Sequence, residues 1–165
     1  MVELHFVKAS PCKNTTVFVE DYVHPSLRAK VAQIAMDPEV LAAEQVGYLV
    51  PPLSGDAVLR LEMAGGEFCG NATLALGALA VARGLKVAGE DFFVECSGAA
   101  SPLRVRAEET GSGHFRGTVE LPSEAQIDVA DFSVGGNNFR GAVVQLPGIC
   151  HFCVKANELS PETYD

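Results

Sequence analysis

The sequence predicts an α+β fold in which mostly antiparallel strands surround one buried helix. Residues 71–83 (NATLALGALAVAR) are apolar on almost every side of a helix, a pattern typical of a helix that lies inside a protein. Short segments with strand character stand before and after this helix, and glycine-containing turns separate several of them. At about 1.5 Å per residue, such a helix is long enough to pass through the middle of a small lobe.

The first part of the chain is predicted to open with a hairpin and to continue into an amphipathic helix. Alternating residues on both sides of the SPCKN turn indicate two strands. Pro25 suits the first turn of a helix. The inward face of this helix is predicted to carry Leu27, Val31, Ile34 and Ala35. The elements predicted before the central helix are strands over 2–8, 16–20, 46–50 and 58–62 and a helix over 25–36.

The second half is predicted to contain strands without a second buried helix. Residues 111–113 and 135–138 are glycine-containing segments that we expect to form turns. The acidic stretch 122–134 is expected to cross between two lobes, and a helix cap is expected to begin at Ser160. The strands predicted in this half are 91–96, 103–108, 115–121, 139–146 and 151–155.

Composition and charge exclude several kinds of partner. The chain carries 12 Lys plus Arg against 21 Asp plus Glu, a net charge of −9, and its basic residues are scattered. Nucleic acid and anionic membranes are therefore not expected partners. There is no apolar run of the ~20 residues that a membrane span needs, and no secretory signal pattern. Five cysteines, an odd number, favour free thiols in a reducing, cytoplasmic environment.

Cys69 is the candidate reactive group because it is predicted to stand where the central helix begins. The first N–H groups of a helix lack internal partners and carry partial positive charge, which suits Gly70, Asn71 and Ala72 to binding a carboxylate. The same field favours the thiolate form of Cys69, which is a competent base or nucleophile. However, a buried cysteine is commonly a small core residue, and Asn71 or Thr73 could simply cap the helix. The residues alone leave both interpretations open.

The segment MAGGEFCGNAT, from Met63 to Thr73, resembles the first catalytic segment of the diaminopimelate epimerase-like superfamily of cofactor-independent amino-acid racemases and epimerases. Within that superfamily the chain is most similar to the histidine racemases of opine-metallophore biosynthesis. Asn14, the Glu44-Gln45 pair, Ser97-Gly98 and His151 follow in the order and approximate spacing of that subgroup. The resemblance implies two similar lobes, each a curved, mostly antiparallel sheet around a central helix. Residues 1–117 would form the first lobe, and residues 118–165 would begin the second, which is incomplete here.

The resemblance also implies roles for individual residues. Cys69 would be one of two catalytic cysteines that face the substrate Cα from opposite sides, without a cofactor or a metal. Glu44 would lie near the substrate side chain, where an anionic group selects a cationic or N–H-donating imidazole. The substrate-binding residues that the resemblance implies are Asn14, Glu44, Gln45, Gly70, Asn71, Ala72 and His151.

Two departures from the family pattern keep other functions open. Epimerases of diaminopimelate carry Cys-Gly-Asn-Gly-Ala-Arg where this chain continues with Ala72-Thr73-Leu74, so diaminopimelate is a less favoured alternative substrate. The second family cysteine lies in a Cys-Gly-Ser/Thr-Gly segment, which this sequence does not contain. A missing segment or a second polypeptide is therefore expected to supply it. A homodimer is a separate expectation for the assembly. A non-catalytic amino-acid-binding module or scaffold is the alternative of a different class.

The remaining chemical groups are ranked below Cys69. Cys150 and Cys153 stand three apart in a predicted strand and so face opposite ways, and the chain offers no second ligand pair, which disfavours a metal site. Glu67 is an alternative base next to the catalytic turn. Cys12 and Cys96 are expected to be structural, because neither begins a predicted helix.

Overall fold

The computed structural model describes residues 3–122, 126–146 and 149–155. Its contacts divide the chain into two compact units, Met1–Pro122 and Ser123–Asp165. The helix cap expected at Ser160 lies outside the described residues. Neither α-helix in the described part of the chain is long and apolar enough to cross a membrane.

The first unit contains a seven-stranded sheet whose strands follow one another in chain order. Neighbouring strands are antiparallel, except that the second strand is parallel to the third and the fourth is parallel to the fifth. The prediction of a mostly antiparallel sheet is therefore confirmed. A parallel pair needs a long crossover, and each of these two crossovers carries an α-helix. The elements are β1 Phe6–Ala9, a 3₁₀ turn Pro11–Lys13, β2 Thr16–Val19, α1 Pro25–Met36, β3 Gln45–Val50, β4 Ala57–Met63, α2 Gly70–Ala82, β5 Asp91–Cys96, β6 Leu103–Gly111 and β7 His114–Val119.

Helix α2 is the buried helix that the sequence predicts. It packs against β4, β5, β6 and β7, and seven of its residues are buried, including the fully enclosed Leu76 and Ala80. Gly84 follows the helix with φ +67°, a conformation that glycine adopts without steric cost and that commonly ends a helix. Because α2 is packed inside this unit, its position is fixed, and so is the position of its first residue.

Helix α1 has the predicted bounds but buries a different face. Ala32 and Ala35 are buried against β2 and β3, whereas Leu27 and Ile34 are 54% and 51% exposed. The prediction was correct for Ala35 and for Val31, which packs partly buried against the same cluster, and wrong for Leu27 and Ile34. Two alanines let the helix backbone approach the sheet closely, and a periodicity argument that favours the largest apolar side chains misses this.

The described residues of the second unit form a three-stranded antiparallel sheet, in which the strands follow one another in chain order. The prediction that 122–134 is a crossing was wrong, because residues 126–134 form a strand paired along its length with β9. Gly135 and Gly136, with φ +57° and +81°, make the expected turn, while Asn137 and Asn138 already belong to the next strand. The strands are β8 Gln126–Val134, β9 Asn137–Leu146 and β10 Ile149–Cys153.

Candidate active site

Cys69 occupies the N-cap position of α2. Its backbone is extended (φ −129°, ψ 108°), and the helix begins at the next residue. The Ala72 N–H donates to Cys69 Sγ at 3.3 Å, and Thr73 Oγ1 donates to the Cys69 carbonyl at 2.8 Å. The side chain that caps the helix is therefore the cysteine itself, rather than Asn71 or Thr73. Cys69 is 8% exposed, so its sulfur lies in a largely enclosed environment.

The residues that follow β5 hold the turn before Cys69 in place. Ser97 Oγ accepts a hydrogen bond from Met63 N and donates one to the Glu67 carbonyl, both at 2.9 Å. Gly98 has φ +74°, and a Cβ there would lie 2.8 Å from the Glu67 carbonyl carbon and 2.9 Å from Phe68 Cα. The end of β4 and the start of α2 are thus joined through a contact that only glycine permits.

A chain of hydrogen bonds links Cys69 to the starts of β2 and β3. Cys69 Sγ donates to Gln45 Oε1 at 2.9 Å. Thr16 Oγ1 lies 3.4 Å from the same Gln45 oxygen and 3.5 Å from the Asn14 carbonyl. Thr16 and Gln45 are direct neighbours in the parallel ladder of β2 and β3. The fold therefore brings Asn14, Gln45 and Cys69, which are distant in sequence, into one cluster.

Glu44 lies at the edge of this cluster. Its side chain is exposed, and its Oε2 accepts a hydrogen bond from Thr15 N at 2.7 Å. The backbone amides of Glu44 and Gln45 both donate to the Thr15 carbonyl, at 2.8 and 3.0 Å. These contacts fix the carboxylate of Glu44 relative to the strand that carries Thr16.

Asn14 contributes a buried acceptor that lacks a donor. Its Oδ1 has no hydrogen-bond partner among the described residues, although the atom is shielded from solvent. Buried polar atoms are nearly always paired in folded proteins, and an exception calls for an explanation. An N–H group of a bound ligand would satisfy this oxygen.

The first turn of α2 can accept an anion. By helix geometry the amides of Gly70 and Asn71 have no intrahelical partner, and both residues are half-buried. The nearest atoms to a Cβ on Gly70 would be those of the Phe68 ring, at 3.8 Å, so the space over this residue is open. The amide of Ala72, by contrast, already donates to Cys69 Sγ. Its share in holding a carboxylate stays a prediction.

The other thiols differ from Cys69 in position. Cys96 ends β5, and its burial raises the pKa of its thiol, which polar contacts with Thr73 and with the Cys69 backbone partly oppose. Cys12, Cys150 and Cys153 are exposed, and none of these four cysteines begins a helix. Within the described ranges, no cluster of three His, Cys, Asp or Glu residues has metal-binding geometry.

His151 belongs to the second unit, and a cavity lies in the first. His151 is exposed on β10 in the second unit, so its role in substrate binding stays a prediction. A cavity of about 310 Å³ lies farther along α2 and includes Leu74, Ala78, Phe18 and Phe115 in its wall. Because its lining is mainly apolar and excludes Cys69, we do not assign it to the catalytic chemistry.

Sequence reasoning missed Thr16 and gave no role to Ser97. Thr16 begins a run of β-forming residues, TVFV, in which threonine is unremarkable. Its hydroxyl becomes informative only when β2 is paired with β3 in register, because that pairing sets it beside Gln45. A fully buried threonine among apolar neighbours is the structural signal that identifies it.

Known protein families and proteins are similar to this chain along most of its length. A family model described as the histidine racemase CntK N-terminal domain matches residues 3–165. The chain is 27% identical over 168 residues to a histidine racemase of Fusobacterium nucleatum subsp. nucleatum strain ATCC 25586, covering 98% of this chain and 58% of that protein. It is 23% identical over 161 residues to a histidine racemase of Staphylococcus aureus strain Mu50, covering 96% and 57%. The chain thus spans less than two thirds of the length of these curated relatives.

Solved structures share the same architecture. A hydroxyproline epimerase from Agrobacterium vitis, with bound trans-4-hydroxy-L-proline, superposes with a TM-score of 0.70 at 13% identity, over 95% of this chain and 53% of that one. A probable proline racemase from Agrobacterium radiobacter K84, with bound carbonate, gives 0.68 at 13% identity, over 96% and 54%. At these identities the likeness shows the fold alone, and it confirms the predicted α+β lobe of a sheet around a central helix.

Proposed function

Because the chain belongs to the family of histidine racemase CntK N-terminal domains, we propose that it supplies one half of the active site of a cofactor-independent amino-acid racemase, with histidine as the favoured substrate. The observation that carries this proposal is the position of Cys69 at the start of α2. Its sulfur donates a hydrogen bond to Gln45, and the next two helix amides have no intrahelical partner. A reducing, cytoplasmic environment is part of the proposal, because the chemistry needs free thiols.

The reaction inverts Cα by removing its proton from one face and adding a proton to the other. In one direction the Cys69 thiolate takes the proton, the C–H electron pair passes into the substrate carboxylate, and a thiol on the opposite face delivers a proton to Cα. In the reverse direction Cys69 starts as the thiol and acts as the acid. In either direction, negative charge grows on the carboxylate as the Cα proton leaves and decreases as the new proton is added. The amides of Gly70 and Asn71 and the positive end of α2 suit the stabilisation of that charge.

Two residues of the cluster support an amino acid with N–H donors as the substrate. The unpaired Oδ1 of Asn14 would accept from the α-ammonium or from an imidazole N–H. The exposed carboxylate of Glu44, fixed by Thr15 N, would face the imidazole at the edge of the site. Histidine presents both kinds of donor, whereas diaminopimelate would also require a site for a distal carboxylate.

The opposing thiol is proposed to come from outside this chain, on a continuing segment or on a second, different polypeptide. The second unit supports this proposal as the beginning of a second lobe. Its sheet leaves Ile127 and Val129 68% and 67% exposed, as expected of apolar residues that a further part of the protein would cover. The matched share of the relatives, 57–58% of their length, leaves room for such a part.

The experiment that tests the substrate is a chiral separation of products. The full-length protein is incubated with L-histidine, L-proline, trans-4-hydroxy-L-proline or LL-diaminopimelate, and the stereoisomers are resolved by chiral chromatography. We expect D-histidine to form fastest. Faster turnover of another substrate would overturn the assignment to histidine and keep the assignment to a racemase.

Binding without turnover is the second candidate, and the missing Cys-Gly-Ser/Thr-Gly segment favours it. Calorimetric titration of the full-length protein with histidine distinguishes the two. Histidine binding with no D-isomer from any substrate, in a preparation whose intact mass shows no additional polypeptide, would identify a binding module.

A further inference from the structure

We propose that Thr16 is a positioning residue that allows the Gln45 amide to serve both protonation states of Cys69. This inference rests on the proposed function, because only a cysteine that alternates between base and acid needs a partner of both kinds. A thiol requires an acceptor for its proton, whereas a thiolate requires a donor. The Ala72 amide donates to Sγ already, so a neighbouring group that changes from acceptor to donor gives the thiolate a second donor and still accepts the proton of the thiol.

The Gln45 amide carries an acceptor and a donor at the end of one side chain. In the structure its Oε1 lies 2.9 Å from Cys69 Sγ, the arrangement that suits the thiol. A half-turn about the last side-chain bond exchanges Oε1 for Nε2, which then donates one of its protons to the thiolate. The backbone of β3 does not move in this exchange.

The hydroxyl of Thr16 keeps the amide satisfied in both orientations. Its Oγ1 lies 3.4 Å from Gln45 Oε1 and 3.5 Å from the Asn14 carbonyl. When Oε1 faces it, the hydroxyl donates to that oxygen. When Nε2 faces it, the hydroxyl accepts the second amide proton and donates its own proton to the Asn14 carbonyl. A hydroxyl can do both, because it is a donor and an acceptor at once.

Burial makes this hydroxyl necessary. Thr16 is fully enclosed, so solvent cannot replace its hydroxyl beside the amide. Its position opposite Gln45 in the β2–β3 ladder fixes the distance between the two side chains. Valine has nearly the same shape as threonine, so the hydroxyl is not needed to fill the space. Its presence at a site that valine would fill points to a polar task.

The test measures the rate at which iodoacetamide alkylates Cys69 in the full-length protein as a function of pH, with the Cys69 peptide followed by mass spectrometry. Thr16→Val removes the hydroxyl. When Gln45 then directs Nε2 toward the thiolate, the second N–H of that amide has no acceptor. We expect the midpoint of alkylation to rise by about one pH unit, which is about tenfold less thiolate at a given pH. Thr16→Ser should restore the midpoint. Glu44, Glu67 and Cys96, the titratable residues on the segments that meet at Cys69, are unchanged in each variant.

A double-mutant cycle shows whether Thr16 acts through Gln45. In a Gln45→Met background, Thr16→Val should leave the midpoint where Gln45→Met alone puts it. An unchanged midpoint in Thr16→Val, or an equal shift in both backgrounds, would overturn the proposal. Thr16→Ala provides the same comparison if the valine variant does not fold. Alkylation needs no turnover, so a failure here is distinct from a failure of the racemase assignment.

Discussion

At the scale of single residues, the site depends on one sulfur atom with two hydrogen-bond partners. Cys69 Sγ donates to Gln45 and accepts from the Ala72 amide, so its position is fixed from the strand side and from the helix side. The sequence predicted that Cys69 begins the helix, because Gly70 and an apolar run follow it directly. It did not predict the contact of Thr16, since that contact depends on a strand register that local sequence does not determine.

We predict that replacing Asn14 weakens binding without weakening the fold. Asn14→Leu removes a buried acceptor that has no partner in the described part of the chain, and such an atom costs about 1–3 kcal/mol. The free energy of unfolding should therefore be unchanged or higher, while the Kd for histidine rises at least about tenfold, or 1.4 kcal/mol. Urea unfolding and calorimetry measure the two quantities. Asn137→Leu, in the second unit, is the control, and a loss of stability without a loss of binding would contradict the prediction.

The buried thiol of Cys96 leads us to predict that the free energy of unfolding falls at alkaline pH. Burial raises the pKa of its thiol in the folded protein, so the folded state favours the protonated form. This contribution is complete below the unfolded thiol's pKa of about 8.5 and is lost as the pH rises through the folded value. Between about pH 8 and 10 the free energy of unfolding should fall less steeply in Cys96→Ala than in the parent protein. Cys12→Ala, which removes an exposed thiol, is the control. Equal slopes in all three proteins would contradict this account.

Among the helices and strands, those with a clear hydrophobic pattern were predictable from the sequence, and those without one were not. Helix α2 and most strands of the first unit follow from apolar runs bounded by Gly and Pro. Strand β8 was missed because Asp131 interrupts the alternation that Ile127 and Val129 begin, and most of its residues on both faces are exposed. The buried face of α1 was misassigned because Ala32, rather than Leu27, meets the sheet.

We predict that Gly98→Ala damages the site more than a matched substitution elsewhere. Gly98 and Gly113 have nearly equal φ values, +74° and +71°, so alanine costs a similar backbone strain of about 1 kcal/mol or more at each. A Cβ on Gly98 would press on the backbone of Glu67 and Phe68, whereas a Cβ on Gly113 would have no atom within 4 Å. Gly98→Ala should lower kcat/KM at least about tenfold, because a misplaced cysteine lies off the line of proton transfer. Equal activity of the two variants would show that this contact does not position Cys69.

At the scale of the whole molecule, the chain contains a closed first unit and a small second one. The first unit has a buried helix and many buried apolar side chains, and the fold of such a lobe was predicted from the CGNAT segment together with the strand pattern. In its described residues the second unit has three strands with exposed apolar side chains. The position of the proposed opposing thiol could not be predicted, because this sequence does not contain the Cys-Gly-Ser/Thr-Gly segment.

The central claim is that Cys69 exchanges a proton with the substrate Cα. The most direct measurement is hydrogen exchange at Cα when the full-length protein acts on L-histidine in D2O, followed by NMR and by the mass of the separated enantiomers. We predict that D-histidine carries deuterium at Cα. Cys12→Ser should leave this exchange intact, and Cys69→Ser should reduce it to the level without protein. Exchange that persists in Cys69→Ser at the parental rate would contradict the claim and assign the acid–base chemistry to another residue.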